Sequence, residues 1–223
     1  MSKKKLITIG MLPAMWLVYF LFELISKNLK TTYDILMNLS LTLVFLGFGY
    51  ILYMLYEKFE TGFKKKTLWI IFIALMVLDQ GSKLIINTKG SWLNVRFGAG
   101  INFPMLITLN IIAIFLFIEF YRYYTSKNNK SFWSDLCFIS IIAGCLCSLI
   151  DKVFYGGSLD FIGISDLFIA DLKDIYINIA IFAFILTAYF NGFLTSEDNT
   201  TLKDDIESVK NFFKFILTDL RIK

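Results

Sequence analysis

Apolar residues along the chain fall in six long blocks that are separated by short polar segments. A helix of about 20 apolar residues covers the roughly 30 Å hydrocarbon core of a bilayer, and each block has about this length. The pattern therefore predicts an all-α polytopic membrane protein with six transmembrane helices. The predicted spans are Leu6–Ile25, Ile35–Tyr56, Thr67–Ile86, Pro104–Tyr124, Asp135–Tyr155 and Ile175–Leu194. We place the start of the fifth helix near Ser134, a suitable N-cap.

Two weaker patterns lie outside these blocks. After Thr201, apolar residues recur at alternating spacings of four and three, which predicts an amphipathic helix on the membrane surface or against helix ends. The segment from Trp92 to Phe103 mixes apolar and polar residues, and we expect a small strand pair there, on the membrane surface.

Charge placement predicts the orientation of the spans. The largest basic clusters, Lys3–Lys5 and Lys64–Lys66, fall on the same side as the tail when the spans alternate. Basic residues accumulate on the cytoplasmic side of membrane proteins, so both termini are predicted to be cytoplasmic. The net charge of +4 follows from this bias, and a nucleic-acid partner is not expected.

Residue types limit the possible chemistry. The chain has no histidine, which excludes serine–histidine and cysteine–histidine pairs and most zinc sites. The three cysteines are predicted to be small apolar packing residues, and all fall in one predicted helix, at Cys137, Cys145 and Cys147.

Carboxylates gather at the outer ends of three predicted spans. Asp79 and Lys83 are four residues apart, so they share a helix face and can form an ion pair. Two neighbouring aspartates with split proton affinities can activate water against an amide, one as base and one as acid. A cation-coupled transporter and a purely structural role remain alternatives at this point. The polar residues at this boundary are Asp79, Lys83, Asn87, Asp151, Lys152, Asp160, Asp171 and Asp174.

The order of these residues resembles signal peptidase II, the bacterial lipoprotein signal peptidase. The similarity begins with D-Q-G-S-K, passes a glycine-rich loop, and continues through G-x-L-x-S-L-I-D-K-x-x-Y-G-x-x-x-D-F-I to L-x-D-I-Y-I. It covers about residues 67–194, so we divide the chain into a two-helix anchor (1–66), a four-helix core (67–194) and a tail (195–223). The first two spans lie outside the usual four-span core of the family.

The resemblance implies a membrane aspartic protease with Asp160 as one catalytic residue. Two registers are possible for the second aspartate. Alignment on the helix start selects Asp174, which we prefer, while alignment on the Ala170-Asp171 pair selects Asp171.

Further residues are implied to orient the two aspartates or to hold the substrate. Two of them depart from the family pattern, because Ser148 replaces an asparagine and Lys152 replaces an arginine, which loses a bidentate donor. These residues are Asp79, Lys83, Asn87, Ser148, Asp151 and Lys152.

The implied substrate is a prolipoprotein with a diacylglyceryl-modified cysteine, cut at the outer face of the bacterial cytoplasmic membrane. No metal or organic cofactor is implied, membrane lipids are expected partners, and the cyclic peptide globomycin is expected to bind the same site. The rival functions are an inactive relative that binds lipoproteins or assembly partners, and a small cation-coupled transporter.

Overall fold

A computed structural model describes residues 3–26, 31–87, 92–94, 103–164, 168–191 and 202–222 of the chain. Among these residues, six helices are long and apolar enough to cross a membrane. The prediction of an all-α polytopic membrane protein is confirmed. The elements in chain order are α1 (Lys3–Ile25), α2 (Thr32–Lys58), α3 (Lys65–Asn87), β1 (Trp92–Asn94), α4 (Phe103–Lys127), α5 (Phe132–Tyr155), β2 (Ser158–Asp160), β3 (Ile162–Ile164), β4 (Phe168–Ala170), α6 (Leu172–Phe190) and α7 (Leu202–Ile222).

Helix α5 begins one turn earlier than the sequence suggested. Its N-cap is Ser131, whose hydroxyl accepts from the Ser134 backbone N–H at 3.2 Å. The Ser134 hydroxyl in turn accepts from the Ser131 backbone N–H at 3.0 Å, which completes a capping box. The prediction of a start near Ser134 was wrong because Ser134 supplies the third helical position of this box rather than the cap. At the other end, Gly156 closes the helix with a left-handed φ of 73°.

The chain divides into two compact units, the first comprising residues 1–60 and 160–171 and the second residues 61–159 and 172–223. Within the first unit, α1 and α2 pack closely at Gly49, where an added Cβ would lie 2.7 Å from the Ile9 carbonyl oxygen. The indole N–H of Trp16 donates to the Asn38 carbonyl at 3.2 Å. The first unit also contains the antiparallel pair β3–β4, in which Ile162 lies opposite Ala170.

Helix α5 is the central helix of the second unit. Half of the residues in the most apolar stretch of α5 are buried, whereas only 6% of those in the corresponding stretch of α4 are. The core of the unit includes Trp133 and Phe182, each with at most 1% of its surface exposed. Gly144 lets α6 approach closely, because a Cβ at this position would lie 2.8 Å from the side chain of Ile177. The bundle therefore places the ends of α3 and α6 around α5.

A buried carboxylate fastens the loop before α3 to the start of α5. Asp135 is fully buried, accepts from the Phe63 backbone N–H at 2.7 Å, and accepts a short hydrogen bond from the Tyr121 hydroxyl. Gly62 precedes this contact with a φ of 85°, a conformation that glycine adopts at little cost. Both donors are neutral, and the Asp135 carboxylate is the acceptor.

The strand expected at Trp92 is present as β1. Its neighbour is β2. The predicted partner within the segment 92–103 stays a prediction. Residues 95–102 lie outside the described part of the chain. The tail forms the expected helix α7, whose Ile206, Val209 and Phe213 are more than half exposed.

Candidate active site

The expected ion pair at the end of α3 is present. The Lys83 ammonium lies 2.8 Å from an Asp79 carboxylate oxygen, and both side chains have no exposed surface. Since the two residues are four apart on one helix, the spacing alone brings them together. This prediction from the sequence is confirmed.

The same lysine joins α3 to α5. The Lys83 ammonium also lies 2.7 Å from Oδ2 of Asp151, which is fully buried. The Gln80 side-chain amide donates to Asp79 at 2.9 Å and to Asp151 at 3.2 Å. One cation and one amide therefore bridge two carboxylates that come from different helices.

Lys173, at the start of α6, completes this cluster, and sequence reasoning missed it. Its ammonium lies 3.3 Å from Oδ2 of Asp151, and its backbone N–H donates to the second oxygen of Asp79 at 3.1 Å. Only 3% of Lys173 is exposed. The sequence signal that could have identified Lys173 is its position among aspartates at a helix start, where an acidic residue is normally favoured over a basic one.

We call Asp79, Lys83, Asp151 and Lys173 the buried charge cluster. Its two carboxylates and two ammonium groups balance in charge. Removing an ion from water costs several kcal/mol, and close pairing with additional hydrogen bonds is needed to offset that cost. The cluster therefore fixes the ends of α3, α5 and α6 relative to one another.

Ser148 and Lys152, the two residues that depart from the family pattern, contact each other. The Lys152 ammonium donates to the Ser148 hydroxyl at 2.5 Å and to the Ser148 carbonyl at 3.3 Å. Lys152 is 7% exposed. Lys152 thus directs both of these hydrogen bonds to neutral groups on its own helix.

Two of the three remaining aspartates lie in the first unit, at the β3–β4 pair. The Phe161 backbone N–H donates to the Ala170 carbonyl at 3.0 Å, which holds Asp160 and Asp171 at the same end of this pair. Asp160 is 4% exposed and Asp171 is fully buried. Asp174 follows on the continuous chain, in the first turn of α6, and is half-buried.

Neighbouring aspartates have two chemical uses. Two carboxylates that share one proton can serve as a base and acid pair. Carboxylate oxygens could also surround a hard cation. Acidic groups alone do not define a metal site, and the expectation that no metal is needed stays a prediction.

Asn87 is the last residue of α3, and its side chain lies outside the described part of the structure. The residues that the structure brings together are Asp79, Lys83, Asp151 and Lys173 in the charge cluster, and Asp160 and Asp171 at the β3–β4 pair.

A family model described as Signal peptidase (SPase) II matches residues 70–190, more than half of the chain. The chain belongs to the signal peptidase II family. The matched region begins within α3 and ends with α6, so it contains both groups of charged residues. Helices α1 and α2 lie outside it.

Two further comparisons found a similar curated protein and a similar solved structure. The chain is 31% identical over 103 residues to a lipoprotein signal peptidase of Wigglesworthia glossinidia brevipalpis, a match that covers 45% of this chain and 60% of the relative. The chain is also similar to a solved structure described as a bacterial membrane enzyme. That match has a TM-score of 0.50 and 18% identity, and it covers 64% of this chain and 99% of the other. At that identity the likeness concerns the fold alone.

Proposed function

We propose that this protein is an aspartic endopeptidase that removes signal peptides from prolipoproteins carrying a diacylglyceryl-modified cysteine. The observation that carries the proposal is that the region matching the family contains all three candidate aspartates, Asp160, Asp171 and Asp174. The composition supports it as well, because a chain without histidine has few other ways to activate water.

In the proposed reaction, two aspartates share one proton and bind a water molecule between them. The ionised carboxylate takes a proton from the water, whose oxygen attacks the carbonyl carbon of the scissile peptide bond. The protonated carboxyl then donates to the departing amine nitrogen. No covalent enzyme intermediate forms, and each aspartate ends with the other's protonation state.

Asp160 is one member of the proposed pair, and the second is Asp174 in the register we prefer from the sequence. Placement of Asp174 in the first turn of α6 supports that register. The burial of Asp171 and its position beside Asp160 on the β3–β4 pair support the other one.

The buried charge cluster is proposed to position this pair. Lys173 lies between Asp171 and Asp174 in sequence, so anchoring its backbone and its side chain restrains both aspartates. Asn87, Ser148 and Lys152 are proposed to hold the substrate backbone or its lipid headgroup. The placement of basic residues supports cytoplasmic termini and an active site at the outer face. The family match supports a prolipoprotein partner.

A second candidate function is that of an inactive relative which binds lipoproteins or assembly partners. The contact between Lys152 and Ser148 favours it, because at two positions where the family has an arginine and an asparagine the lysine donates to the serine. Helices α1 and α2 would then supply the additional interface. The transporter alternative gains no support from the family match.

The test is cleavage of a diacylglyceryl-modified prolipoprotein by purified wild type and by Asp160→Asn, Asp171→Asn and Asp174→Asn. We expect background rates for Asp160→Asn and for one of the other two, and partial activity for the third, which identifies the pair. Asp204→Asn is the matched control, since Asp204 is an exposed aspartate on α7. No cleavage by folded wild type on several substrates would favour the inactive relative.

A further inference from the structure

An apolar groove lies between α4 and α6, at the ends of these helices that are remote from the buried charge cluster. It encloses about 340 Å³ and is floored by α5. Its walls include Phe117 and Tyr121 of α4, Phe138 and Ile141 of α5, and Phe184 and Ala188 of α6. Almost all of the lining is aromatic or aliphatic, so the groove is suited to hydrocarbon.

The groove has the length of one leaflet. From Phe117 to the end of α4 at Lys127 the helix rises about 15 Å, which is half the hydrocarbon thickness of a bilayer. All three walls belong to helices that are long and apolar enough to span a membrane. An unfilled groove at this depth would forfeit dispersion contacts, so an acyl chain from the surrounding lipid is a natural occupant.

Two cations flank Asn128 in sequence, and Asn128 lines the end of the groove that we call its mouth. The Lys127 ammonium lies 5.5 Å from the ring centroid of Tyr123, and the Lys130 ammonium lies 5.8 Å from that of Tyr121. Both tyrosines line the groove. Cation–π contacts therefore keep the two exposed lysines beside rings of the groove lining.

The carboxylates nearest in sequence already have strong partners. Asp135 is buried and accepts from Tyr121 and from Phe63, and Glu119 forms an ion pair of 2.9 Å with Arg122. The two lysines at the groove mouth therefore retain capacity for an anion. Tyr124 and Asn191, joined by a 2.6 Å hydrogen bond, add polar groups at the same level.

We propose that this groove binds one anionic phospholipid from the leaflet predicted to be cytoplasmic. An acyl chain lies along α5 between Phe117 and Phe184, and the phosphate lies between Lys127 and Lys130. Anionic headgroups are favoured over zwitterionic ones because each lysine near the surface adds attraction to a net negative charge. The proposal is independent of the peptidase reaction, since it uses the opposite ends of the helices.

The test is native mass spectrometry of the full chain, titrated with phosphatidylglycerol or with phosphatidylcholine of the same acyl composition. We expect one phosphatidylglycerol molecule to be retained in preference to phosphatidylcholine. The double variant Lys127→Gln/Lys130→Gln is expected to lower the affinity for phosphatidylglycerol by roughly tenfold and to leave phosphatidylcholine unchanged. Equal retention of the two lipids by the wild type would overturn the proposal.

Two further variants separate the groove from general surface charge. Lys210→Gln/Lys214→Gln removes two exposed lysines from α7 and is expected to leave the preference intact; an equal loss in this control would overturn the assignment to Lys127 and Lys130. Ala188→Trp fills the groove and is expected to reduce the binding of both lipids, with Ile141→Phe as a milder substitution should the tryptophan prevent folding. Undiminished phosphatidylglycerol binding by a folded groove-filling variant would overturn the acyl-chain site.

Discussion

The two ends of α5 each bury one carboxylate completely, and they hold it in different ways. Asp135, near the start of the helix, accepts from a backbone N–H and a tyrosine hydroxyl. Asp151, near the other end, faces two ammonium groups, those of Lys83 and Lys173. The first is a carboxylate among neutral donors, and the second is part of a balanced set of charges.

The difference concerns what each end must hold in place. Neutral donors are sufficient to fasten one loop, residues 59–64, to the start of α5. Fixing three helix ends relative to one another requires groups that reach across the bundle, and two long lysines do this at a high desolvation cost. The proposed chemistry depends on the placement of aspartates at the start of α6, and the cluster fixes that helix start.

The largest expected effect follows from removing the shared cation. Lys83→Met leaves Asp79 without its closest ammonium group and deprives Asp151 of one of two, all in a fully buried site. Breaking a buried pair in this way destabilises a protein by about 3–5 kcal/mol. We expect that loss in an SDS-unfolding titration of the purified protein, together with background cleavage.

A double variant gives the control for this prediction. Asp79→Asn/Lys83→Met removes one charge of each sign, so it is expected to be more stable than Lys83→Met alone. Equal stability of the single and double variants would show that the pairing does not carry the energy assigned to it.

A smaller effect is expected at Lys173. Lys173→Met leaves Asp151 with Lys83, and its backbone N–H still donates to Asp79, so the loss of stability is expected to be about 1.5–3 kcal/mol. Because the residue lies between two candidate catalytic aspartates, we expect kcat to fall by at least about tenfold with KM little changed. Lys173→Arg is expected to restore part of kcat; equal kcat values for all three proteins would contradict the positioning role.

The smallest effect is expected at the neutral end of α5. In Gly62→Ala, the new Cβ would meet a carboxylate oxygen of Asp135 at 2.6 Å, and the backbone has a φ of 85°. The left-handed conformation costs a non-glycine residue about 1–2 kcal/mol, and we expect this loss in the same unfolding titration. Cleavage per folded molecule is expected to be unchanged, and a selective loss of activity would contradict the separation of the two ends.

The sequence predicts the scaffold better than it predicts the site. Six apolar blocks are sufficient to place the spans, because a bilayer requires every spanning segment to satisfy its backbone internally. The spacing of Asp79 and Lys83 predicts their ion pair for an equally local reason. Both predictions depend on neighbours along one helix.

What the sequence does not predict depends on contacts across the bundle. Nothing in the local sequence marks Lys173 as a partner of Asp151. Only the packing of α6 against α5 places its ammonium beside that carboxylate. The pairing of β1 with β2 is also a contact between distant segments, which local alternation along the chain does not reveal. The sequence also leaves the choice between Asp171 and Asp174 open, because the two registers differ by three residues at one helix start.

The position of the cut distinguishes a lipoprotein signal peptidase from an inactive relative. Purified wild type is incubated with a prolipoprotein in its diacylglyceryl-modified and unmodified forms, and the products are identified by mass spectrometry. We expect a single cut immediately before the modified cysteine, no cut in the unmodified form, and no product with Asp160→Asn. A folded wild type that leaves the modified substrate intact, or an Asp160→Asn variant that cuts at the wild-type rate, would overturn the proposed function.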